Sequence, residues 1–315
     1  MPSRVVVALG GNAILRAGQR GTAEEQLSNI RDTCRLMADM VAAGHDVVIT
    51  HGNGPQVGNI LLQNEEAAGA VPPMPLDICG AQSQGQIGYL TQRELHNELL
   101  ARGLRRVVVT IVTQVVVDPR DPAFQNPTKP VGPYYSPEHA QRLIADRGYH
   151  MKNIPGRGWR RVVPSPDPVA IHERDAILKL VEGGAIVVAS GGGGIPVRLS
   201  PGGDLSGVEA VIDKDLAGQR LARDVGAHVF LILTDVDRVA VNYGRDDQRF
   251  IDRMDVEEAQ SLLDAGQFPP GSMGPKMLAA IRFIREGGQR AVIAGLECAA
   301  RALQGAAGTT IVPRA

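Results

Sequence analysis

Val47-Val48-Ile49-Thr50-His51-Gly52-Asn53-Gly54 is an apolar, β-branched run that passes without a spacer into a glycine-rich polar turn. The same arrangement recurs in Val5-Val6-Val7-Ala8-Leu9-Gly10-Gly11-Asn12 and in Ile186-Val187-Val188-Ala189-Ser190-Gly191-Gly192-Gly193-Gly194. Runs that are apolar throughout read as strands buried on both faces, the habit of parallel sheets. Between them lie amphipathic stretches. Thr22 and Glu25 form a capping-box pair, and Leu27, Ile30, Cys34, Met37 and Val41 follow on one stripe that stops at Gly44. Further helices are expected at about 77–102, from Asp167-Pro168 to Gly183, and at 214–224, 255–265, 275–286 and 296–304. Strands are expected at 46–50, 107–117, 185–190, 228–234, 290–294 and 309–312. This alternation predicts an α/β three-layer sandwich, with a mainly parallel central sheet covered by helices on both faces. Ligands bind such sheets at the carboxyl ends of the strands, the edge where all three glycine turns fall.

From about 119 to 167 the rhythm breaks into a segment rich in proline, glycine, arginine and tyrosine, with one helix near 137–147. A stretch this long is either functional or disordered. Trp159, Tyr134 and Tyr135 give it packing value, so a small ordered protrusion, a candidate lid, is expected there.

Composition removes several classes of function. A net charge of −1 in 315 residues offers no global field for nucleic acid or an anionic membrane. Cys34, Cys79 and Cys298 are odd in number and lack metal-ligand spacing, which fits reduced thiols in the cytoplasm. No apolar run approaches the ~20 residues of a spanning helix. There is no P-loop lysine, and after Gly52-Asn53-Gly54 the next glycine, Gly58, comes one place late for a dinucleotide fingerprint. Ala81-Gln82-Ser83-Gln84-Gly85 loosely matches a hydrolase elbow but sits in an expected helix rather than after a strand.

Glycine turns at strand ends let a ligand's oxygens reach backbone N–H groups, although a glycine after a strand is also a common tight turn. Gly10, Gly11, Asn12, Gly52, Asn53, Gly54, Gly192 and Gly193 are the candidates, with Asn12 and Asn53 as neutral donors. Positive charge must come from elsewhere. The chain has five lysines: Lys129, Lys152, Lys179, Lys214 and Lys276. Lys152 and Lys179 read as solvated. Lys214 and Lys276 enter expected helices, where an ammonium opposes the helix dipole unless an anion bridges the two. Asp213 and Asp215 read either as ordinary helix N-terminal carboxylates or, for Asp215, as a spacer holding two lysines. Asp235 and Asp237 follow a strand, where a nucleotide, a metal or a simple turn would suit them. Any Mg²⁺ is expected to arrive on nucleotide phosphates, with no ligand set from the protein.

These segments, together with Gln125-Asn126-Pro127-Thr128-Lys129-Pro130, Gly156-Arg157-Gly158-Trp159-Arg160 and Pro270-Gly271-Ser272-Met273-Gly274-Pro275-Lys276, resemble the amino-acid kinase family in order along nearly the whole chain. The protrusion around Lys129 and Trp159 resembles the branch whose acceptor is carbamate. The resemblance implies one domain over 1–315, with an acceptor lobe at about 1–200 and a nucleotide lobe at about 201–315. It implies reversible, Mg²⁺-dependent phosphoryl transfer between ATP and carbamate, giving ADP and carbamoyl phosphate, by a homodimer. Lys129, Lys214, Asp215 and Lys276 would be catalytic. Thr234, Asp235, Val239, Tyr243, Met273 and Gly274 would join Lys214 and Lys276 around the nucleotide. Asp235 stands where the family pattern admits glycine as readily. Another small-carboxylate or phosphate kinase of the same fold, or a nucleotide-sensing module without transfer, are the alternatives.

Overall fold

A computed structural model describes residues 3–314. Its frame is an eight-stranded sheet built from Arg4–Leu9 (β1), Asp46–His51 (β2), Val108–Thr110 (β3), Ile186–Val188 (β4), Val229–Thr234 (β5), Arg253–Asp255 (β6), Arg290–Gly295 (β7) and Thr309–Val312 (β8). The strand order is β6-β8-β7-β5-β1-β2-β4-β3. Every pair is parallel except β7 with β8. The three glycine turns therefore leave the carboxyl ends of three adjacent strands, β1, β2 and β4.

Alternation along β1 divides the core. Val6 and Ala8 face one side, with Ile177, Leu221, Phe230 and Phe283. Val5, Val7 and Leu9 face the other, with Ile30, Met37, Ile87 and Leu95. The first side is covered by helices Arg174–Glu182, Lys214–Asp224, Val256–Asp264 and Met273–Arg285. The second is covered by Ala23–Ala42, Leu76–Ala101 and the short Ala299–Leu303. A sheet with both faces buried needs apolar side chains in both directions, which is why these strands read as unbroken apolar runs. The three-layer α/β architecture expected from the sequence is the observed one.

The capping box at Thr22 and Glu25 is present, with both reciprocal bonds made. Two local expectations are corrected. The run 107–117 is not one strand. It ends in the main sheet at Thr110 and restarts at Gln114–Val117 in a separate four-stranded sheet with Pro168–Ile171, Ile195–Leu199 and Leu205–Gly207. The crossing is pinned by Gln84, whose Oε1 accepts from Thr113 N–H at 2.8 Å while its Nε2 donates to the Gly191 carbonyl at 2.9 Å. Asp167-Pro168 does not open a helix either. Pro168–Ile171 is an edge strand, where a missing N–H costs nothing, and the helix begins at Arg174. Asp167 instead accepts from Arg282 at 2.6 Å. A further helix, Gly54–Glu66, matches none of the expected helices; it buries Val57 and packs the half-buried Ile60 and Leu61 against Leu76, Cys79, Val131 and Val163.

The 119–167 segment is ordered. Lys129–Tyr135, Met151–Ile154 and Gly158–Val163 form a three-stranded antiparallel sheet, and Pro137–Arg147 is a helix capped by Ser136. Tyr135 donates to Glu65 at 2.8 Å, which ties this sheet to the Gly54–Glu66 helix.

Candidate active site

Glycine turns and lysines meet in one cleft over the carboxyl ends of β1, β2, β4 and β5. It has three connecting chambers. The first, of 280 Å³, is lined by Gly11, Gly52, Asn53, Gly54, Gly192, Lys129, Asp213, Lys214, Asp215 and Lys276. The second, also 280 Å³, adds Gly10, Asn12, Thr234 and Asp235. The third, of 260 Å³, lies between Thr234, Asp235, Tyr243, Phe250, Phe268 and Met273. Lys276 and Ser272 line all three.

Two carboxylates at the start of one helix organise the charge. Asp213 is the N-cap of Lys214–Asp224, and its Oδ1 accepts from the Asp215 N–H at 2.9 Å. Its Oδ2 accepts from Lys129 Nζ at 2.8 Å, bringing the tip of the protruding sheet onto the helix. Asp215 takes Lys214 Nζ at 2.5 Å on one oxygen and Lys276 Nζ at 3.1 Å on the other. Its side chain is only 3 % exposed. Burial pushes the Asp215 carboxyl up, but the two ammonium groups outweigh it and hold the pKa below the ordinary value. Of the two readings open for Asp215, the spacer between lysines is the arrangement observed. Asp213 carries more than the cap read from sequence, and the pairing with Lys129, 84 residues away, had no sequence signal. Lys152 and Lys179 are exposed, as expected.

The glycine turns are less open than their composition implies. The N–H groups of Gly10 and Gly52 are spent on the Leu233 and Leu9 carbonyls. Donors for a ligand must come from further round each turn. Gly193, with φ +96°, does not reach the cleft: a Cβ there would lie 2.3 Å from the Ile212 carbonyl oxygen, so the position serves to let the Ile212-Asp213-Lys214 backbone pass. Gly192 does line the first chamber, and a Cβ on it would strike Asn53 Nδ2 at 2.2 Å.

His51 lies beneath these turns, fully buried, with Nδ1 donating to the Gly52 carbonyl at 2.9 Å. Burial pushes its pKa down to about 4, against a small opposing effect of that hydrogen bond. The ring is therefore neutral at pH 7.

On the far side, Thr234, Asp235, Tyr243 and Met273 line the second or third chamber. Val239 and Gly274 do not: Val239 is core, its N–H donating to Thr309 Oγ1 at 2.8 Å, and Gly274 is packed within its helix start against Pro269. Asp235 accepts from Thr234 Oγ1 at 3.0 Å and faces the cleft, whereas Asp237 is not on its walls. Ser83, read from sequence only within the loose hydrolase-elbow match, is a polar residue beside the cleft. It is buried and accepts from Asn53 Nδ2 at 2.7 Å, and only its place beside Gln84 in a helix with few apolar residues hinted at a polar role.

An ammonium-rich cleft at strand ends, with a buried carboxylate between two lysines and no P-loop, defines a phosphoryl-transfer class. The chain belongs to the amino acid kinase family, whose model matches residues 3–295. It is 55 % identical over 315 residues to a carbamate kinase of Pyrococcus furiosus, covering 99 % of this chain and 100 % of the relative. It is 54 % identical over 312 residues to a carbamate kinase of Thermococcus kodakarensis, covering 98 % and 99 %. Among solved structures, carbamate kinase from Giardia lamblia bound to AMP-PNP superposes with a TM-score of 0.94 at 44 % identity, covering 99 % of each chain.

Proposed function

We propose that the chain catalyses reversible transfer of a phosphoryl group between ATP and carbamate, giving ADP and carbamoyl phosphate. The observation that carries this reading is the convergence of Lys129, Lys214 and Lys276 on one cleft through Asp213 and Asp215. Carbamate is an oxyanion at neutral pH, so no general base is needed. One of its oxygens attacks the terminal phosphorus, the bond to the bridging oxygen breaks, and that electron pair leaves with ADP. Catalysis then consists of alignment and charge neutralisation.

The first chamber holds carbamate, among the turns at Gly11, Gly52 to Gly54, and Gly192, with Asn12 on the adjoining second chamber. Lys214 and Lys276, held on either side of Asp215, face the transferring phosphoryl group. Lys129 reaches it from the protrusion. The third chamber, with aromatic Tyr243, Phe250 and Phe268, suits a planar base. AMP-PNP bound to the Giardia relative supports ATP as the nucleotide. Asp213 and Asp215 are engaged by ammonium groups, so a Mg²⁺ ion would be held by the nucleotide phosphates, where it would supply further charge neutralisation.

The chain acts as a homodimer. β3 is an edge strand of the main sheet, and Val107 and Tyr89 beside it are 65 % and 59 % exposed. A second copy paired there covers both an open backbone edge and apolar side chains. The free thiols fit a reducing cytoplasm.

The test is a coupled assay: carbamoyl phosphate, ADP and Mg²⁺ yield ATP. ATP made only from another phosphorylated substrate would move the chain to a different kinase of this fold. Nucleotide binding without any transfer would make it a sensing module.

A further inference from the structure

Ser83 takes no part in the chemistry above, yet it is fully buried at the acceptor end of the cleft and makes two short hydrogen bonds. Its hydroxyl donates to the Gly80 carbonyl at 2.6 Å, one turn back in the same helix. A carbonyl can only accept, so the single hydroxyl proton is committed and Ser83 Oγ meets Asn53 as an acceptor. The end of the Asn53 amide that lies 2.7 Å away is therefore its NH₂ group. The amide has a defined polarity, and Oδ1 is its outward end.

Two further observations show that this orientation is built. Asn53 is the N-cap of Gly54–Glu66, where an asparagine oxygen ordinarily accepts from a first-turn N–H, but it makes no such cap. Its amide also lies flat against Gly192, where any larger residue would displace it. Asn53 Oδ1 has no protein partner among the described residues and is not sealed from the chamber that Asn53 lines.

The charged side chains and backbone N–H groups of that chamber do not recognise an amino group. Lys129, Lys214 and the backbone N–H groups are donors; they hold the oxygens of carbamate or acetate alike. Both oxygens of Asp213 and of Asp215 are taken. Carbamate differs from the near-isosteric acetate in presenting NH₂ in place of CH₃, and NH₂ needs an acceptor. We propose that Ser83 is a positioning residue that fixes Asn53 so that Oδ1 accepts from the substrate amino group, making this pair the determinant that favours carbamate over isosteric carboxylates. This rests on the reading of the first chamber as the carbamate site. A flipped amide would set NH₂ against NH₂ and lose the discrimination. A site that hydrogen-bonds a substrate N–H rejects an analogue lacking it, because its own polar group is left unpaired.

The experiment measures kcat/KM for ATP formation from ADP with carbamoyl phosphate and, separately, with acetyl phosphate. The wild type favours carbamoyl phosphate, and Ser83→Ala narrows that preference by about tenfold, the loss falling on carbamoyl phosphate. Ser83→Cys, which keeps the shape but offers a poor acceptor, narrows it in the same direction and guards against a packing defect in the alanine variant. An equal fall with both substrates in both variants overturns the proposal and leaves Ser83 a packing residue. Equal wild-type kcat/KM values overturn it as well. A wild type that makes ATP from acetyl phosphate but none from carbamoyl phosphate overturns the carbamate reading and this inference together, a result distinct from the other two.

Discussion

The two walls of the cleft hold their shape by different physics. The strand-end wall, from β1, β2 and β4, is fixed by close packing: Gly193 under the Ile212 carbonyl, Gly192 against Asn53, and His51 buried and neutral below them. The helix-end wall is fixed by ion pairs, with Asp213 and Asp215 each gripping ammonium groups. The first wall should be sensitive to added volume and the second to removed charge. Packing positions neutral donors at no cost in desolvated charge, whereas neighbouring half-buried lysines need a counterion between them.

The largest effect tests the charged wall. Asp215→Ala leaves the Lys214 and Lys276 ammonium groups, 19 % and 13 % exposed, facing each other without a counterion. Turnover in the coupled assay is expected to fall by about 10³-fold or more, because the two charges no longer point at one phosphoryl group. Removing one partner of a buried ion pair also costs stability, about 3–5 kcal/mol in the urea unfolding free energy. Near-wild-type turnover would mean that the lysines do not act through this carboxylate.

Gly193→Ala tests the packed wall. The new methyl must enter a left-handed backbone conformation and sit 2.3 Å from a carbonyl oxygen. The two nearest atoms belong to the Ile212 backbone and cannot swing aside, so a destabilisation of about 3 kcal/mol is expected, read from thermal or urea unfolding. Gly11→Ala is the control, because a Cβ there meets nothing within 4 Å. Equal stability losses in the two variants would erase the distinction between the walls.

Much of this was legible before any coordinates. Strand-to-glycine transitions marked the edge over which the cleft lies, and the few lysines placed beside turns, Lys129, Lys214 and Lys276, are the ones that line it. The sequence was silent where the determining contact is between distant segments. Nothing local to Asp213 announces Lys129, and nothing in Gly191-Gly192-Gly193-Gly194 separates the glycine that faces the cleft from the one that clears a carbonyl. The helix Gly54–Glu66 was hard to read because it buries only a short apolar set, Val57 with the half-buried Ile60 and Leu61, against a small cluster shared with the protruding sheet. Pro168 misled because proline suits both a helix start and an edge strand, and only the neighbouring strand Gln114–Val117 decides between them.

The walls also differ in their response to pH. His51 titrates at about 4 in the fold, against 6.5 when unperturbed, since burial opposes its charge. A depressed folded pKa means stability that is full above about 6.5 and is lost as pH falls toward and through 4. The loss attributable to His51 is up to about 3 kcal/mol. Asp215 is also lowered, from 3.8, so its ion pairs persist over that whole window and fail only below it. Between pH 6.5 and 4, His51→Gln should therefore flatten the fall in urea midpoint relative to wild type. An unchanged slope would show that the imidazole is not held neutral.

The smallest effect separates the two carboxylates. Asp213 and Asp215 stand two residues apart, but the Lys129–Asp213 pair is 30 % and 12 % exposed and links the protrusion to the helix, while Asp215 is sealed between its lysines. Partly exposed pairs are worth about 1 kcal/mol or less, so this contact is one that Lys129 can leave for a phosphoryl oxygen and regain afterwards. Asp213→Asn keeps the N-cap and removes the charge. Turnover is expected to fall about fivefold, with the unfolding free energy within about 0.5 kcal/mol of wild type. Asp213→Ala adds about 1 kcal/mol of destabilisation from the lost cap. Raising the salt concentration should slow the wild type toward Asp213→Asn and leave the variant little changed, because only the wild type has this ion pair to screen. A loss in Asp213→Asn as large as that in Asp215→Ala would mean that both carboxylates hold lysines for the transfer itself, and that no ammonium in the cleft is free to move.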